Sequence, residues 1–326
     1  MFFQIKQTFL HKYNSYCTRI ILLIFLFSET PLFISAQTDN DAIMMGKNLF
    51  CAGVMTSNST WNEYWEGTLK RENANLGTVS TNMIGPMGSL GISSKLNLIF
   101  NLPYVKTHAS AGQLKGFSDF QDISLWLKWK PVKKKLGKGT ISLFTIGGFS
   151  MPTSNYVADY LPLSIGLRSR NFSFRGMADY QVGVWTTTLS GTYVHRSNIE
   201  IDRTSYYTTE MHYTNEVYMP NAAQVNLRMG YRGKYWLVEA VADNWTSLGG
   251  FDITRNNMPF PSNRMNMTRT GIHVKYEPAK PKGITFIGGA NTTISGRNVG
   301  KTTSFQAGLF YIFNLSAKRS NTTQKK

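Results

Sequence analysis

The stretch Tyr193-Val-His-Arg-Ser-Asn198 holds the residue types best suited to a reaction. His195 and Ser197 lie two positions apart, so on a strand they share a face, and an imidazole beside a hydroxyl is the base and nucleophile pair of acyl transfer. A strand end at a surface rim explains the same residues without chemistry. Nothing else in the chain has the spacing of a catalytic group. No His/Cys/carboxylate cluster has metal-ligand spacing, and no phosphate loop or dinucleotide fingerprint is present, so neither a catalytic residue set nor a cofactor is expected. The Gly-Gly pairs at 147–148, 249–250 and 288–289 fit strand kinks or loop turns.

The polar residues that remain are ordered by parity. Across 223–232 Val225, Leu227, Met229 and Tyr231 alternate with Gln224, Asn226, Arg228 and Arg232, and across 269–277 Ile272, Val274 and Tyr276 oppose Arg269, His273, Lys275 and Glu277. Strict alternation of this kind makes sided strands. Lys95, Asn97 and Asn101 oppose Leu96, Leu98, Phe100 and Leu102; Ser124, Trp126, Lys128 and Lys130 oppose Ile123, Leu125, Leu127 and Trp129. On 62–71, Glu66 and Lys70 fall opposite Trp65 and Leu69. Long sided strands describe a wall between oil and water, and in lipid such a wall must close on itself because an open sheet edge leaves its amides unpaired. The polar face then lines a lumen, with Glu66, Lys70, Asn97, Asn101, Trp126, Lys128, Asn226, Arg228, His273 and Lys275 as the candidate lining. Phe144, Ile146 and Ile287 interrupt that polar face. They suit either a greasy solute or packing on an internal plug.

The fold class predicted is all-β: a transmembrane antiparallel up-and-down β-barrel of about 12 strands, with 14 as the alternative. Fourteen candidate segments are found, among them 62–71, 161–168 and 210–219, while the length from 61 to 314 favours 12. Residues 1–36 read as a secretory signal, with Lys6, Lys12 and Arg19 ahead of the apolar run 20–27 and Phe33-Ile-Ser-Ala36 as the cleavage site. That run is too short to span a bilayer. The expected organisation is therefore signal 1–36, an N-terminal segment 37–60 able to fill the lumen, barrel 61–314 and a basic tail 315–326.

The chain carries 35 Lys+Arg and 18 Asp+Glu; loss of residues 1–36 removes three basic residues and one acidic, leaving 32 against 17. An exported chain does not routinely meet nucleic acid, so this charge points to anionic lipid head groups. Of the two cysteines only Cys51 lies beyond the signal, which excludes an internal disulfide scaffold.

Gly137-Lys-Gly139 and Arg232-Gly-Lys234 are tight turns, whereas 106–118, 151–160, 198–209 and 244–267 are long connections. Short turns face the periplasm in outer-membrane barrels and long loops face outside. Phe251, Ile253, Met258 and Phe260 in the longest loop are apolar groups that should cover or capture something. Tyr104, Trp129, Trp185, Trp236, Tyr276, Tyr311 and Phe313 fall near strand ends, where rings suit the membrane interface.

Two resemblances follow from these residues. Tyr193 to Asn198 is similar to the Tyr-x-His-x-Ser-Asn-Gly stretch of outer-membrane phospholipases over six residues, but Ile199 stands where that family has Gly and no Ser-Arg-Ser-Trp-Asn stretch follows. Gly91-Ile-Ser-Ser-Lys-Leu-Asn-Leu-Ile-Phe-Asn-Leu-Pro-Tyr-Val105, Gly116-Phe-Ser-Asp-Phe-Gln-Asp-Ile-Ser-Leu-Trp-Leu-Lys-Trp129 and Gly147-Gly-Phe-Ser-Met-Pro-Thr153 resemble the meta-pathway phenol-degradation group of outer-membrane proteins, itself similar to the long-chain fatty-acid and aromatic-hydrocarbon channels. The chain lacks the Asn-Pro-Ala stretch of the fatty-acid channels' plug, and Leu315 to Lys326 extend past Phe313. The resemblance implies a channel in the Gram-negative outer membrane for passive uptake of a small hydrophobic or aromatic compound, with outer-membrane lipids and the barrel-insertion machinery as partners. A structural or adhesive barrel with a closed lumen is the alternative, and a lipid hydrolase the third reading.

Facing is testable with two neighbours. Leu227→Arg should block membrane insertion, since a lipid-facing arginine near the midplane costs roughly 2–4 kcal/mol, while Asn226→Arg should be tolerated. Equal yields of folded protein from the two variants would refute the parity assignment.

Overall fold

In the computed structural model, which describes residues 37–255 and 257–316, twelve long strands are joined in sequence order and each pairs antiparallel with its chain neighbours. They are β1 (Leu49–Trp61), β2 (Val79–Gly91), β3 (Leu96–Asn101, resumed after Pro103 as Tyr104–Ala109), β4 (Asp122–Leu136), β5 (Gly139–Pro152), β6 (Asn171–Val182), β7 (Trp185–Arg196), β8 (Ala222–Arg232), β9 (Trp236–Ser247), β10 (Asn266–Tyr276), β11 (Ile284–Arg297) and β12 (Thr303–Asn314). β1 pairs with β12 from Leu49↔Asn314 to Thr60↔Thr303 and with β2 from Phe50↔Leu90 to Trp61↔Val79, so the sheet has no free edge. The protein is an all-β, closed 12-stranded antiparallel barrel. The signal 1–36 and tail residues 317–326 lie outside the described residues.

Alternation sets the two faces. Leu125, Leu127, Phe174, Leu189, Val225, Met229, Ile272, Phe305 and Leu309 are exposed around the outside, whereas Lys128, Arg175, Asn226, Arg228, His273 and Lys275 are buried within. Apolar groups circling a closed wall form a surface for lipid; the polar groups are shielded inside. Rings gather near the short-turn end of this belt, where Trp236 stacks on Tyr276 at 4.3 Å and Tyr311 meets Phe313 edge-on at 4.8 Å.

Turn chemistry fixes the register. Gly137 (φ 57°) closes β4 onto β5 and Gly183 (φ 59°) closes β6 onto β7, a left-handed conformation that a side chain would strain. These turns share one end with 92–95, 233–235 and 277–283. The connections 62–78, 110–121, 153–170, 197–221 and 248–265 crowd the other.

The barrel begins at residue 49, twelve positions before the expected boundary of 61, because residues 49–61 form β1 and not a free N-terminal segment. Three expected strands are absent from the wall. Residues 63–72 form a small hairpin (Glu63–Glu66 with Leu69–Glu72) turned by Gly67 (φ 54°), 161–168 are loop, and 210–219 contribute only two-residue pairings. Removing three segments and adding β1 takes fourteen to twelve.

A closed ladder with this many cross-strand bonds should resist detergent. The protein should migrate faster on gels unboiled than boiled; a single unshifted band after mild detergent extraction would contradict closure.

Candidate functional site in the barrel lumen

The lumen is occupied by the chain itself. Residues 37–48 run inside the wall before Asn48 (φ 60°) turns the backbone into β1, its N–H donating to Gly91 O at 2.8 Å. Asp41 is the centre of this segment and is fully buried. Lys128 of β4 approaches its Oδ1 to 3.2 Å and Lys275 of β10 its Oδ2 to 3.5 Å. β4 and β10 are six strands apart in a twelve-strand ring, so one carboxylate joins opposite walls.

The carboxylate is also wrapped locally. Thr38 donates its N–H (2.8 Å) and its Oγ1 (3.0 Å) to Oδ2, and Ile43 N–H donates to Oδ1 at 3.1 Å. These short-range bonds shape residues 38–43 into a turn that presents both oxygens to the lysines. Lys128 Nζ in turn donates to Thr38 O at 3.1 Å. Asp39 takes Arg175 of β6 at 3.2 Å, while Arg175 Nε donates to Thr192 Oγ1 at 2.7 Å. Gln37 meets the side-chain amide of Asn97 at 2.6 Å.

Apolar packing completes the seal. Ala42 and Met44 lie against Phe144, Ile146 and Met177, and Met45 packs with Leu49, Cys51, Met87, Ile99, Ile287, Phe310 and Ile312. Phe144, Ile146 and Ile287 thus break the polar face because they cover the segment's own side chains.

Around the β6 to β10 side three inner acids are paired within the wall. Glu239 lies 3.3 Å from Arg228 and 3.7 Å from His273; Asp179 lies 3.0 Å from Arg232 and accepts hydroxyls from Thr186 (2.9 Å) and Thr188 (2.7 Å). Asp243 binds Arg269 at 2.6 Å and accepts from Asn226 at 3.2 Å.

Two cavities lie one on each side of the segment. The outer, of about 370 Å³, is bounded by Asp39, Trp126, Phe149, Arg175, Arg196 and Trp245. The inner, of about 740 Å³, opens at the short-turn end among Met44, Lys130, Lys133, Lys135, Arg232 and Lys275.

The sequence-derived candidates are placed unevenly. Asn97, Lys128, Asn226, Arg228, His273 and Lys275 are buried on the inner face, Trp126 packs inward against both apolar clusters, and Asn101 is half-buried near the β3 break. Glu66 and Lys70 do not line the lumen. They belong to the 63–72 hairpin, where Glu66 pairs with Arg71 (2.9 Å) and Lys70 with Glu63 (2.6 Å). Of the loop residues, Met258 is exposed, but Ile253 is buried and Phe260 stacks on Tyr206 at 5.2 Å, with Phe251 6.4 Å from Phe260. These groups hold neighbouring loops together. His195 is exposed on the outer face, and Ser197, just past β7, accepts Arg170 N–H at 2.9 Å. Asp39 and Asp41, which carry the central contacts, were not among the candidates.

The loops are tied by surface ion pairs. Asn298 accepts from Gly67 N–H (2.8 Å) and Ile253 N–H (3.1 Å) while donating to Asp252 (2.7 Å), and Arg297 donates to Asp252 at 2.8 Å. Hydrogen bonds from Lys301 and Lys70 hold the Glu63 carboxyl below its ordinary range, and Arg297 does the same for Asp252.

Neither a family model nor a curated protein matches the sequence, so the meta-pathway group is not established as this chain's family. Among solved structures the fold is similar to an outer membrane channel from Pseudomonas putida F1, with TM-score 0.68 and 13% identity over 85% of this chain and 100% of that one. Weaker likenesses are the translocator domain of the autotransporter NalP from Neisseria meningitidis (TM-score 0.42, 11% identity, 84% and 90% covered) and OprD from Pseudomonas aeruginosa (0.36, 10%, 86% and 97%). The closed barrel with its apolar belt is an outer-membrane architecture of Gram-negative cells.

The depressed carboxyls set a pH window for the mouth. A carboxylate whose folded pKa lies below its unfolded value stabilises at neutral pH and loses that contribution as pH falls through the folded value. Hydrogen exchange in 63–72 and 251–264, corrected for intrinsic rates, should therefore accelerate at pH 3 relative to pH 7. Glu63→Gln should produce the 63–72 change already at neutral pH; unchanged protection in both cases would refute the role of these pairs.

Proposed function

We propose that this barrel is an outer-membrane channel for passive uptake of a small hydrophobic or aromatic compound, closed at rest by its own residues 37–48. The observation that carries the reading is the interrupted lumen: two cavities of one barrel separated by a segment that belongs to no strand and enters the wall at Asn48. A barrel needed only as a scaffold could fill its interior with wall side chains, as small barrels do. Here the filling comes from a segment outside the wall, which can leave without breaking the β-ladder.

The outer cavity supports the apolar character of the solute. Trp126, Phe149, Val194, Leu167 and Trp245 offer ring and aliphatic surface for an apolar body, set among twelve polar or charged lining residues that include Arg175 and Arg196. Passage then requires displacement of 37–45 and exit through the inner cavity. Lipids contact the outer belt, and the insertion machinery assembles the barrel in this reading. The closed lumen equally describes a structural or adhesive barrel, which a transport assay distinguishes.

Deletion of 37–45 should leave heat-modifiable mobility intact and raise both ion conductance in planar bilayers and uptake of aromatic hydrocarbons into liposomes. Deletion of 251–260 should keep the barrel but alter uptake, because it removes the ring stack that roofs the mouth. Solute entry no faster than into protein-free liposomes, for the intact chain and both deletions, would overturn the channel reading in favour of the structural one.

A further inference from the structure

The inner face of β4 is a ladder of ammonium groups. Lys128 is buried at mid-height, and Lys130, Lys133 and Lys135 line the inner cavity below it, with Lys138 in the turn. The spacing departs from simple alternation because a bulge between Trp129 and Val132 shifts the register, so that Lys133 pairs with Ser142 and Lys135 with Thr140 on the same inward side. Among the described residues none of Lys130, Lys133 and Lys135 has a carboxylate within 4.0 Å, whereas Asp179 across the cavity is already held by Arg232 and two threonines. In the outer cavity Arg196 sits 5.3 Å over the Trp245 ring, again without a carboxylate partner among the described residues.

Between the outer cavity and the lysine-lined inner one stands Asp41, a carboxylate offered by the chain to Lys128 and Lys275. Withdrawing it alone would take from the buried Lys128 ammonium its one carboxylate within 4.0 Å among the described residues, which is strongly unfavourable. Exchanging it for another carboxylate would not. We infer that the solute of the channel proposed above is an organic anion, a small carboxylate with an apolar or aromatic body, and that its carboxylate takes the place Asp41 holds between Lys128 and Lys275. Rings at the mouth receive the apolar body beside Arg196, the exchange at Lys128 and Lys275 releases the segment, and the Lys130 to Lys138 ladder draws the anion onward. No bond is made or broken. A neutral solute of the same shape lacks the charge that compensates the lysines.

The test uses the full chain in proteoliposomes and planar bilayers, with benzoate and its neutral isostere benzamide as probes. Benzoate should enter several-fold faster than benzamide, and the reversal potential in a potassium chloride gradient should favour chloride. Lys133→Gln with Lys135→Gln, at solvent-lined positions that leave the barrel seam untouched, should move that potential toward zero selectivity without altering gel mobility. Asp41→Asn should raise basal conductance and keep it anion-selective, because chloride can then pair with Lys128. Equal entry of benzoate and benzamide, or preference for potassium, would overturn this inference while leaving the channel reading intact. Entry of neither probe, with or without residues 37–45, would overturn both.

Discussion

The interior is organised around one desolvated carboxylate. Asp41 is out of contact with water and is held by two lysines reaching from opposite walls. Burying three charges is tolerable only when each is paired and its remaining hydrogen-bonding capacity is met, and breaking such a pair typically costs 3–5 kcal/mol. That constraint dictates the rest of the segment. Thr38 and Ile43 must bond the carboxylate, so the backbone turns at 38–43, and Ala42, Met44 and Met45 are thereby carried onto the apolar patch of the wall.

The two halves of the lumen solve the problem of buried charge differently. From β6 to β10 the wall supplies acids of its own: Asp179, Glu239 and Asp243 each sit within 3.3 Å of an arginine on the same or a nearby strand, and Arg175 and Lys275 reach the segment instead. The one carboxylate of β4, Asp122, lies at the far end of the strand and accepts the Tyr156 hydroxyl, and Lys128 depends on an acid that belongs to no strand. A wall meant only to hold its shape would be served by the first arrangement throughout. The second makes the charge balance of the barrel depend on residues 37–48, which belong to no strand.

Much of the architecture was legible because the side-chain period of a strand is two and the inner and outer solvents differ. Lys128, Asn226, Arg228, His273 and Lys275 face inward by the same parity that turns Leu127, Val225, Met229 and Ile272 outward. β1 escaped because its pattern is reversed: Leu49, Cys51 and Met55 point inward at the segment, while Thr56 and Asn58 are exposed. Residues 63–72 alternate convincingly, yet a left-handed Gly67 folds them back before they can span. Asp41 left no local trace, since its partners lie 87 and 234 residues away and nothing in Asp39-Asn-Asp41 marks which carboxylate will be buried.

Tethering decides how hard the central carboxylate is to displace. The segment is continuous with β1 through Asn48, whose carbonyl also accepts Leu315 N–H at 2.8 Å, so its C-terminal end is fixed to the barrel seam. A group held on a short tether competes for its site at an effective concentration on the order of millimolar. Any solute group that competes with Asp41 for the two lysines must therefore be abundant, or must add to its charge the contact of an apolar body with the rings above. The apolar patch works in the opposite direction, because Met45 and its neighbours leave contact with the wall when the segment moves. In the proposed channel the closed state is thus held by exchangeable charge contacts at Asp41 and Asp39 and by an apolar contact that a rigid solute cannot replace at the same spot, and a segment pushed aside at Asp41 retains a driving force to return.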